Sequence, residues 1–123
     1  MATLGDRVFD NGLTVLDTEA NAIHVTSQEA TTYTEATSTY TLGNSTSLSI
    51  NAPADRSGGG RKVTVAAISD GSITADGTAT HYAIVDTTNS RLLATAALTA
   101  SQSVTNGNTF TLATFDIGIP DPA

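Results

Sequence analysis

The sequence contains no cysteine and no tryptophan, and only three tyrosines and three phenylalanines. The lack of cysteine excludes a disulfide scaffold, a thiolate zinc site and thiol chemistry. Five basic residues stand against twelve acidic ones, which gives a net charge of −7 at pH 7. A nucleic-acid-binding protein needs a basic surface, so this class is excluded. No apolar run approaches the ~18 residues of a membrane-spanning helix, so we expect no membrane partner.

Three residue types dominate what is present. Threonine, alanine and serine together occupy 52 of the 123 positions. Threonine is β-branched and suits the pleated surface of a sheet, whereas alanine and threonine side chains fill only a narrow core. The composition therefore favours a β-protein with thin packing layers and without long helices. The length is that of one domain.

Turn signals divide the chain into short segments, as in a β-sandwich or barrel. They are Asn11-Gly12, Gly43-Asn44, Asp70-Gly71, Asp76-Gly77, Thr88-Asn89-Ser90 and Asn106-Gly107. Apolar and polar residues alternate between several of these turns, which is the pattern of half-buried strands. We predict an all-β fold over residues 1–123, a single-domain β-sandwich or jelly-roll-like barrel of short antiparallel strands. The predicted core consists of Val63, Val65, Ile68, Ile84, Val85, Leu92, Leu93, Phe110 and Leu112.

Four segments depart from this pattern. Residues 1–12 are predicted as an extended N-terminal arm, or else as an edge strand of the protein's own sheet. Residues 13–23 fit the apolar spacing of a short helix, but equally a strand, a turn and a second strand. Residues 31–42 have no strongly apolar face, which is typical of an edge strand or an extended arm. Residues 119–123 form a predicted C-terminal tail, because their prolines remove donors from a sheet.

Motifs for catalysis or cofactor binding are not found. The run from Ser57 to Lys62 is not a phosphate-binding loop, because Asp55 replaces the first glycine and Val63 replaces the Ser or Thr that binds magnesium. His81 precedes Asp86 by five positions, but no Gly-x-Ser-x-Gly nucleophile motif accompanies them. Two histidines are too few for a histidine-based metal site, and no calcium-loop motif occurs. We therefore predict a protein that is not an enzyme, has no cofactor or metal ion, and uses His81 structurally.

Two segments are candidates for contact with a partner. The loop 51–61 and the residue after it carry three of the five basic residues, namely Arg56, Arg61 and Lys62. Cations gathered on one loop of an acidic protein can meet the carboxylates of a partner. The N-terminal segment is the second candidate, since it mixes apolar and charged residues that would dock on a partner. Its candidate contact residues are Leu4, Arg7, Val8 and Phe9.

The C-terminal half carries a pattern that is similar to a known class of proteins. It runs Gly77-Thr-Ala-Thr-His-Tyr-Ala-Ile-Val-Asp86, then Arg91-Leu-Leu, Ala97-Leu-Thr, and Val104-Thr-Asn-Gly-Asn-Thr-Phe110. This pattern resembles small virion proteins of tailed bacteriophages, which are described as head decoration or tail-fibre proteins. The N-terminal Leu4-Gly-Asp-Arg-Val-Phe-Asp and the segment from Leu13 to Ala20 are similar to them as well. Tyr82 stands where the pattern also has Trp or Phe.

The resemblance implies a structural virion protein. Because no heptad or internal repeat points to a fibre shaft, we expect a capsid decoration (cement) protein on the outer surface of the phage head. Its expected partners are the major capsid protein and other copies of itself, as a trimer or another homo-oligomer. The alternative is a tail or fibre-associated adhesion or receptor-binding domain. A carbohydrate-binding module is less favoured, since tryptophan is absent.

Overall fold

The structure is a computed structural model that describes residues 5–120, and about half of it is β-strand. Its elements are α1 (Asp6–Glu19), β1 (Ala22–Thr26), a π-helical turn (Glu35–Thr39), β2 (Thr41–Ser45), β3 (Ala54–Asp55), β4 (Arg61–Val65), β5 (Ile68–Ile73), β6 (Gly77–Asp86), β7 (Arg91–Val104), β8 (Thr109–Leu112) and β9 (Phe115–Ile119). All strand pairs are antiparallel. The prediction of a β-rich fold of antiparallel strands is confirmed.

The chain forms two compact units. The small unit contains the described residues up to Glu19, Ser49–Ala67, and the described residues from Ala113 onward. The large unit contains Ala20–Leu48 and Ile68–Leu112. Each unit is therefore assembled from separate parts of the chain. That the two units fold as one domain stays a prediction.

The large unit is a six-stranded sheet, curled into a half-barrel, with the strand order β7-β6-β1-β2-β5-β8. Its centre is β1, which is buried along its whole length between β2 and β6. Ile23 and Ile84 face each other across β1 and β6, and both are fully buried. Alanine, valine and isoleucine fill most of this core, so the expected narrow packing is present. The long strand β7 and the short strand β8 are the two edges.

The threonine-rich segment of the large unit is not a strand along its whole length. Residues 33–39 form helical turns, which include the π-helical turn, and only Thr41 and the residues after it enter β2. The Glu35 carboxylate accepts hydrogen bonds from the Thr31 amide and the Thr31 hydroxyl, both at 2.8 Å. The Thr37 hydroxyl donates to the carbonyl of Tyr33 at 2.9 Å. Side chains that bond to nearby backbone in this way compete with sheet pairing. The prediction of an edge strand or extended arm over residues 31–42 is therefore wrong, because the first part is helical and β2, which Thr41 begins, lies between β1 and β5 inside the sheet.

The small unit combines α1 with a three-stranded sheet of order β3-β4-β9. α1 packs against β4, and it buries Leu13 and Leu16, which lie three positions apart on one face. Residues 6–12 therefore belong to a helix and not to an extended arm or an edge strand. The helix continues through the predicted turn at Asn11-Gly12. Burial of the leucine side chains offsets the unfavourable helix propensity of glycine, about 1 kcal/mol.

The predicted core is confirmed in part. Val63, Val65, Ile68, Ile84, Val85 and Phe110 are buried, as expected. Leu92, Leu93 and Leu112 are only half-buried, so their assignment to the fully buried core is wrong, although Leu92 packs against a cluster of core residues. The reason is their position, since β7 and β8 are edge strands with a neighbour on one side only. Val63 and Val65 also belong to the small unit, whereas the other predicted core residues belong to the large one.

The turn signals were right at two turns, of which the first joins β6 and β7 as a hairpin, and wrong where glycine serves packing. Ser90 and Gly107 have positive φ angles of 56° and 92° in the turns before β7 and β8. The Asp86 carboxylate fixes the first of these turns, because it accepts from the amide of Thr88 at 3.0 Å and the side-chain amide of Asn89 at 2.8 Å. Gly71, by contrast, lies inside β5, where the ring of Phe110 occupies the space of a side chain.

Candidate functional site

The basic residues of the chain are concentrated in the small unit. Arg7, Arg56, Arg61 and Lys62 belong to it, and Arg91 is the single cation of the large unit. The small unit also has seven of the twelve acidic residues and the large unit has the other five, so both units have a net negative charge. A partner with an acidic surface would therefore be attracted only to a local group of cations, and not to either unit as a whole.

The N-terminal candidates lie partly outside the described residues. Leu4 is not among them, and the side chains of Val8 and Phe9 lie outside the described part as well. The backbone of Val8 and Phe9 belongs to α1. Arg7 is exposed on the same helix. Their role in partner contact stays a prediction.

The loop between β3 and β4 is a tight hairpin. The amide of Arg56 donates to the carbonyl of Gly60 at 3.2 Å, and the amide of Gly59 donates to the carbonyl of Arg56 at 3.1 Å. Gly58, Gly59 and Gly60 all have positive φ angles, which glycine adopts without strain. Gly60 also lies against the carbonyl of Ile119, where a side chain would clash. The glycines therefore bring the loop close to the end of β9.

Arg61 serves the interior of the small unit. Its guanidinium makes two hydrogen bonds to the carboxylate of Asp10, from Nε at 2.9 Å and from Nη2 at 3.3 Å. Its Nη1 donates to Asp55 at 2.6 Å, and Nη2 also reaches the carbonyl of Pro53 at 3.3 Å. The side chain is only 16% exposed. Arg61 thus joins α1, β3 and the segment before β3, and little of it is accessible to a partner.

Lys62 lies on the opposite face of the sheet from Arg61, because successive side chains of a strand alternate. Its Nζ lies 3.0 Å from Oδ2 of Asp116, which is about half exposed on β9. The hydroxyl of Thr64 donates to the other carboxylate oxygen of Asp116 at 2.7 Å. These side chains share one face, since Thr64 pairs with Asp116 and Lys62 pairs with Gly118.

Arg56 completes this face by lying across Gly118. A side chain at Gly118 would stand about 3.0 Å from Cδ of Arg56, so the glycine leaves room for the arginine stem. Nη1 of Arg56 donates to the carbonyl of Gly59 at 3.0 Å, which holds the guanidinium beside its own loop. An open groove of about 400 Å³ results, and we call it the cationic groove. It is lined by Arg56, Ser57, Lys62, Asp116 and Gly118.

The cationic groove contains two cations and one carboxylate. The Thr64 hydroxyl, followed by Lys62, holds the pKa of Asp116 below its usual range, so this carboxylate is ionised at neutral pH. The groove still has a net positive charge, whereas the chain as a whole is acidic. Arginine and lysine side chains in this setting bind carboxylate or phosphate groups through charge-assisted hydrogen bonds.

The histidines and Asp86 lie in separate hydrogen-bonded settings. Nδ1 of His81 is 2.8 Å from the hydroxyl of Thr80, an internal partner of the kind expected for a structural histidine. Nδ1 of His24 is 2.8 Å from the hydroxyl of Thr41, and burial lowers the pKa of His24. The Asp86 carboxylate bonds to the turn that follows it. The functional role of His81 stays a prediction.

Two kinds of feature are absent from the described residues. Within residues 5–120, no three His, Asp or Glu side chains come together as a candidate metal site. In the same range, no helix has the length and apolar character needed to cross a membrane.

Sequence reasoning identified two of the residues that line the groove, Arg56 and Lys62. It missed Asp116 and Gly118, which also line the groove, and Thr64, which bonds to Asp116. The pairing of β4 with β9 brings Asp116 and Gly118 next to Lys62, although more than fifty positions separate them in the chain. Residues 62–65 alternate between polar and apolar side chains, which indicated that one face of β4 is polar. The local sequence did not indicate which strand pairs with β4.

Comparisons with protein-family models, with curated proteins and with solved structures find no match to this chain.

Proposed function

We propose that the chain is a capsid decoration protein of a tailed bacteriophage, which binds the outer surface of the head through the cationic groove. The observation that carries the proposal is the charge distribution. Both units of the chain have a net negative charge, yet two of the five cations, Arg56 and Lys62, line an open groove that contains a single carboxylate. The resemblance of the segment from Gly77 to Phe110 to small phage virion proteins directs the proposal to a virion.

The geometry suits docking better than turnover of a substrate. The groove is open and polar, and its charged groups are held by neighbouring strands and by a tight loop. Among the described residues, no buried polar side-chain atom lacks a hydrogen-bond partner. The surface of the groove would complement an acidic patch on the major capsid protein, because opposite charges across an interface fix its orientation and speed association.

The consequence for the particle follows from mass action. A protein that binds the assembled shell, and not the free capsid subunit, stabilises the shell by an amount that grows with its concentration. Each of many equivalent capsid sites would bind one copy of the chain through its cationic groove. Other copies of this chain on neighbouring capsid subunits are further partners.

The copy number in virus particles tests this function. Particles of the phage that encodes the chain are purified, and the chain is quantified by mass spectrometry relative to the major capsid protein. A decoration protein is expected at a ratio near one per capsid subunit or per small group of subunits. A handful of copies per particle would support a tail or fibre-associated adhesion domain instead. Complete absence from the particle would contradict both assignments.

Binding to undecorated shells tests the location on the head. Purified chain is mixed with shells that lack it, and occupancy is measured by co-sedimentation. We expect saturable binding that weakens between about 0.1 and 1 M salt, because the screening length falls from about 10 Å to about 3 Å. Binding that does not respond to salt would contradict docking through the groove, although the copy number could still support a decoration protein.

A further inference from the structure

The outer edge of β7 is unusually open to pairing. β7 spans Arg91–Val104, stands at the end of the sheet order, and pairs only with β6 within the described part of the chain. After Arg91, its residues include no charged side chain and no proline. Natural edge strands are normally protected by charges, by proline or by shortness. β7 has none of these three protections from residue 92 to residue 104.

The direction of its backbone groups can be read from three contacts of β6. The carbonyl of Tyr82 accepts from the Thr95 hydroxyl at 2.9 Å, so it points toward β7. The carbonyl of Val85 accepts from the Asn21 amide at 3.1 Å, and that of His81 lies 3.4 Å from the Thr26 hydroxyl, so both point toward β1. These directions alternate along β6, as they must in a strand.

The pairing register of β6 with β7 then determines in which direction the backbone groups of β7 point. Tyr82 is opposite Ala96, so the N–H and C=O groups of Ala96 point toward β6. The neighbouring residues, Thr95 and Ala97, are opposite Ala83 and His81. Their N–H and C=O groups therefore point outward, to the free edge. Ala97 is exposed, and no described strand lies beside this edge in the sheet.

Two irregularities limit the regular part of this edge. The register with β6 shifts between the partners of Ile84 and Val85, and again between those of Ala79 and His81. The pairing of β7 is continuous from Ala94 to Ala97 between these shifts. Bulges shorten the stretch that another strand can join. They therefore favour a short, defined contact over unlimited strand addition.

Charge indicates which occupant this edge suits. Two copies of a chain with a net charge of −7 repel each other over most of their surfaces. From residue 92 to residue 104, β7 is a long uncharged stretch of the otherwise acidic large unit. A second copy offers the same uncharged edge, and antiparallel pairing lets identical strands exchange hydrogen bonds about a two-fold axis.

We propose that β7 forms an antiparallel contact with β7 of a second copy, in which Thr95 and Ala97 pair with Ala97 and Thr95 of that copy. The contact joins two six-stranded sheets through their edges and closes on itself, so it gives a dimer and not a fibre. This proposal does not depend on the proposed function, because it concerns the purified chain alone.

Sedimentation of the purified chain over a range of concentrations tests the proposal. We expect a reversible monomer–dimer equilibrium for the parent chain. Ala97→Pro removes an outward N–H without removing a bond to β6, which edge strands tolerate. It should raise the dimer dissociation constant about tenfold or more, because each of the two copies related by the two-fold axis loses one intermolecular hydrogen bond. A parent chain that stays monomeric, or an Ala97→Pro dimer of parental affinity, would overturn the proposal.

Two further variants separate loss of pairing from loss of folding. Ala96→Pro removes an N–H that bonds to β6, so it should lower the denaturant midpoint clearly more than Ala97→Pro does. Equal midpoints would overturn the assigned backbone directions. Ala97→Asp keeps the N–H but places like charges in the contact, and should weaken the dimer. Its matched control is Ser72→Asp on the interior strand β5, which adds the same charge away from the edge. Equal weakening by both would indicate general repulsion and overturn the edge contact.

Discussion

The two units of the chain are stabilised in different ways. The large unit is a broad sheet whose centre is filled by small aliphatic side chains, with Ile23 and Ile84 fully buried in it. The small unit has a short sheet and one helix, and an arginine links these elements through two carboxylates. The difference shows how a chain with few large apolar residues can supplement a thin core by placing one charged group where several segments meet.

The largest expected effect comes from the apolar core. Ile84→Ala in the large unit and Leu13→Ala in the small unit each remove a buried side chain. Each should lower the free energy of unfolding by about 2–5 kcal/mol. Denaturant unfolding followed by circular dichroism measures both.

The same pair of variants tests the single-domain prediction. The small unit is assembled from three separate segments of the chain, so we expect it to unfold together with the large unit in one transition. Both variants should then shift the same midpoint. Two transitions, each moved by only one of the variants, would contradict the single domain.

A smaller effect is expected from the arginine of the small unit. Arg61→Ala leaves the carboxylates of Asp10 and Asp55 without their shared cation, which should cost about 1–3 kcal/mol. Lys62→Ala is the matched control, because it removes a neighbouring cation from an exposed ion pair, worth about 0–1 kcal/mol. Thermal denaturation of both variants measures the difference. Equal losses would show that Arg61 has no special structural role.

The pH dependence of stability depends on His24 in the large unit. Its folded pKa lies below 6.5 because the ring is buried, so the unfolded chain binds more protons below that pH. The stabilising effect of the neutral ring is therefore present above about pH 6.5 and is lost as the pH falls below it. We expect the denaturant midpoint to drop between about pH 7 and pH 5.5. His24→Gln should flatten this slope, and an unchanged slope would contradict the assignment.

The smallest expected effect concerns the carboxylate inside the cationic groove. Asp116 forms an ion pair with Lys62 at 3.0 Å, so it competes with a partner's carboxylate for this cation. Asp116→Asn should therefore release Lys62 and strengthen binding to undecorated shells by a few-fold. Thr64→Val tests the same carboxylate with no change of charge, and should alter binding less. Weaker binding by Asp116→Asn would show that this carboxylate contacts the partner directly or orders the groove.

Local patterns predicted what depends on local structure. The alternation in residues 62–65 correctly indicated a strand, and the turn signals near Ser90 and Gly107 correctly indicated turns. The short helix that was one alternative for residues 13–23 is present up to Glu19, but its start at Asp6 was not predicted, because Asn11 and Gly12 form a turn signal that tertiary packing overrides. The π-helical turn was missed because threonine has a high strand propensity, yet its hydroxyl also bonds to nearby backbone.

Only part of the candidate site could be predicted from the sequence, namely the cations of the loop and of β4. Arg56 and Lys62 were recognised from the concentration of cations in one short segment. Their neighbours Asp116 and Gly118 come from β9, and only the long-range pairing of β4 with β9 determines that they meet. For the same reason, sequence alone placed Arg61 with the exposed cations, although Asp10 of α1 binds it on the other face of the sheet.

The central claim is tested most directly by comparing two variants of the chain, each of which lacks one cation. The quantity measured is their affinity for undecorated shells. Arg56→Ala changes the groove, and Arg91→Ala changes the net charge equally in the other unit. Both are first checked for a parental denaturant midpoint. We predict that Arg56→Ala weakens binding by about tenfold or more and reduces its salt dependence, whereas Arg91→Ala binds as the parent does. Equal affinity of the two variants would contradict docking through the cationic groove.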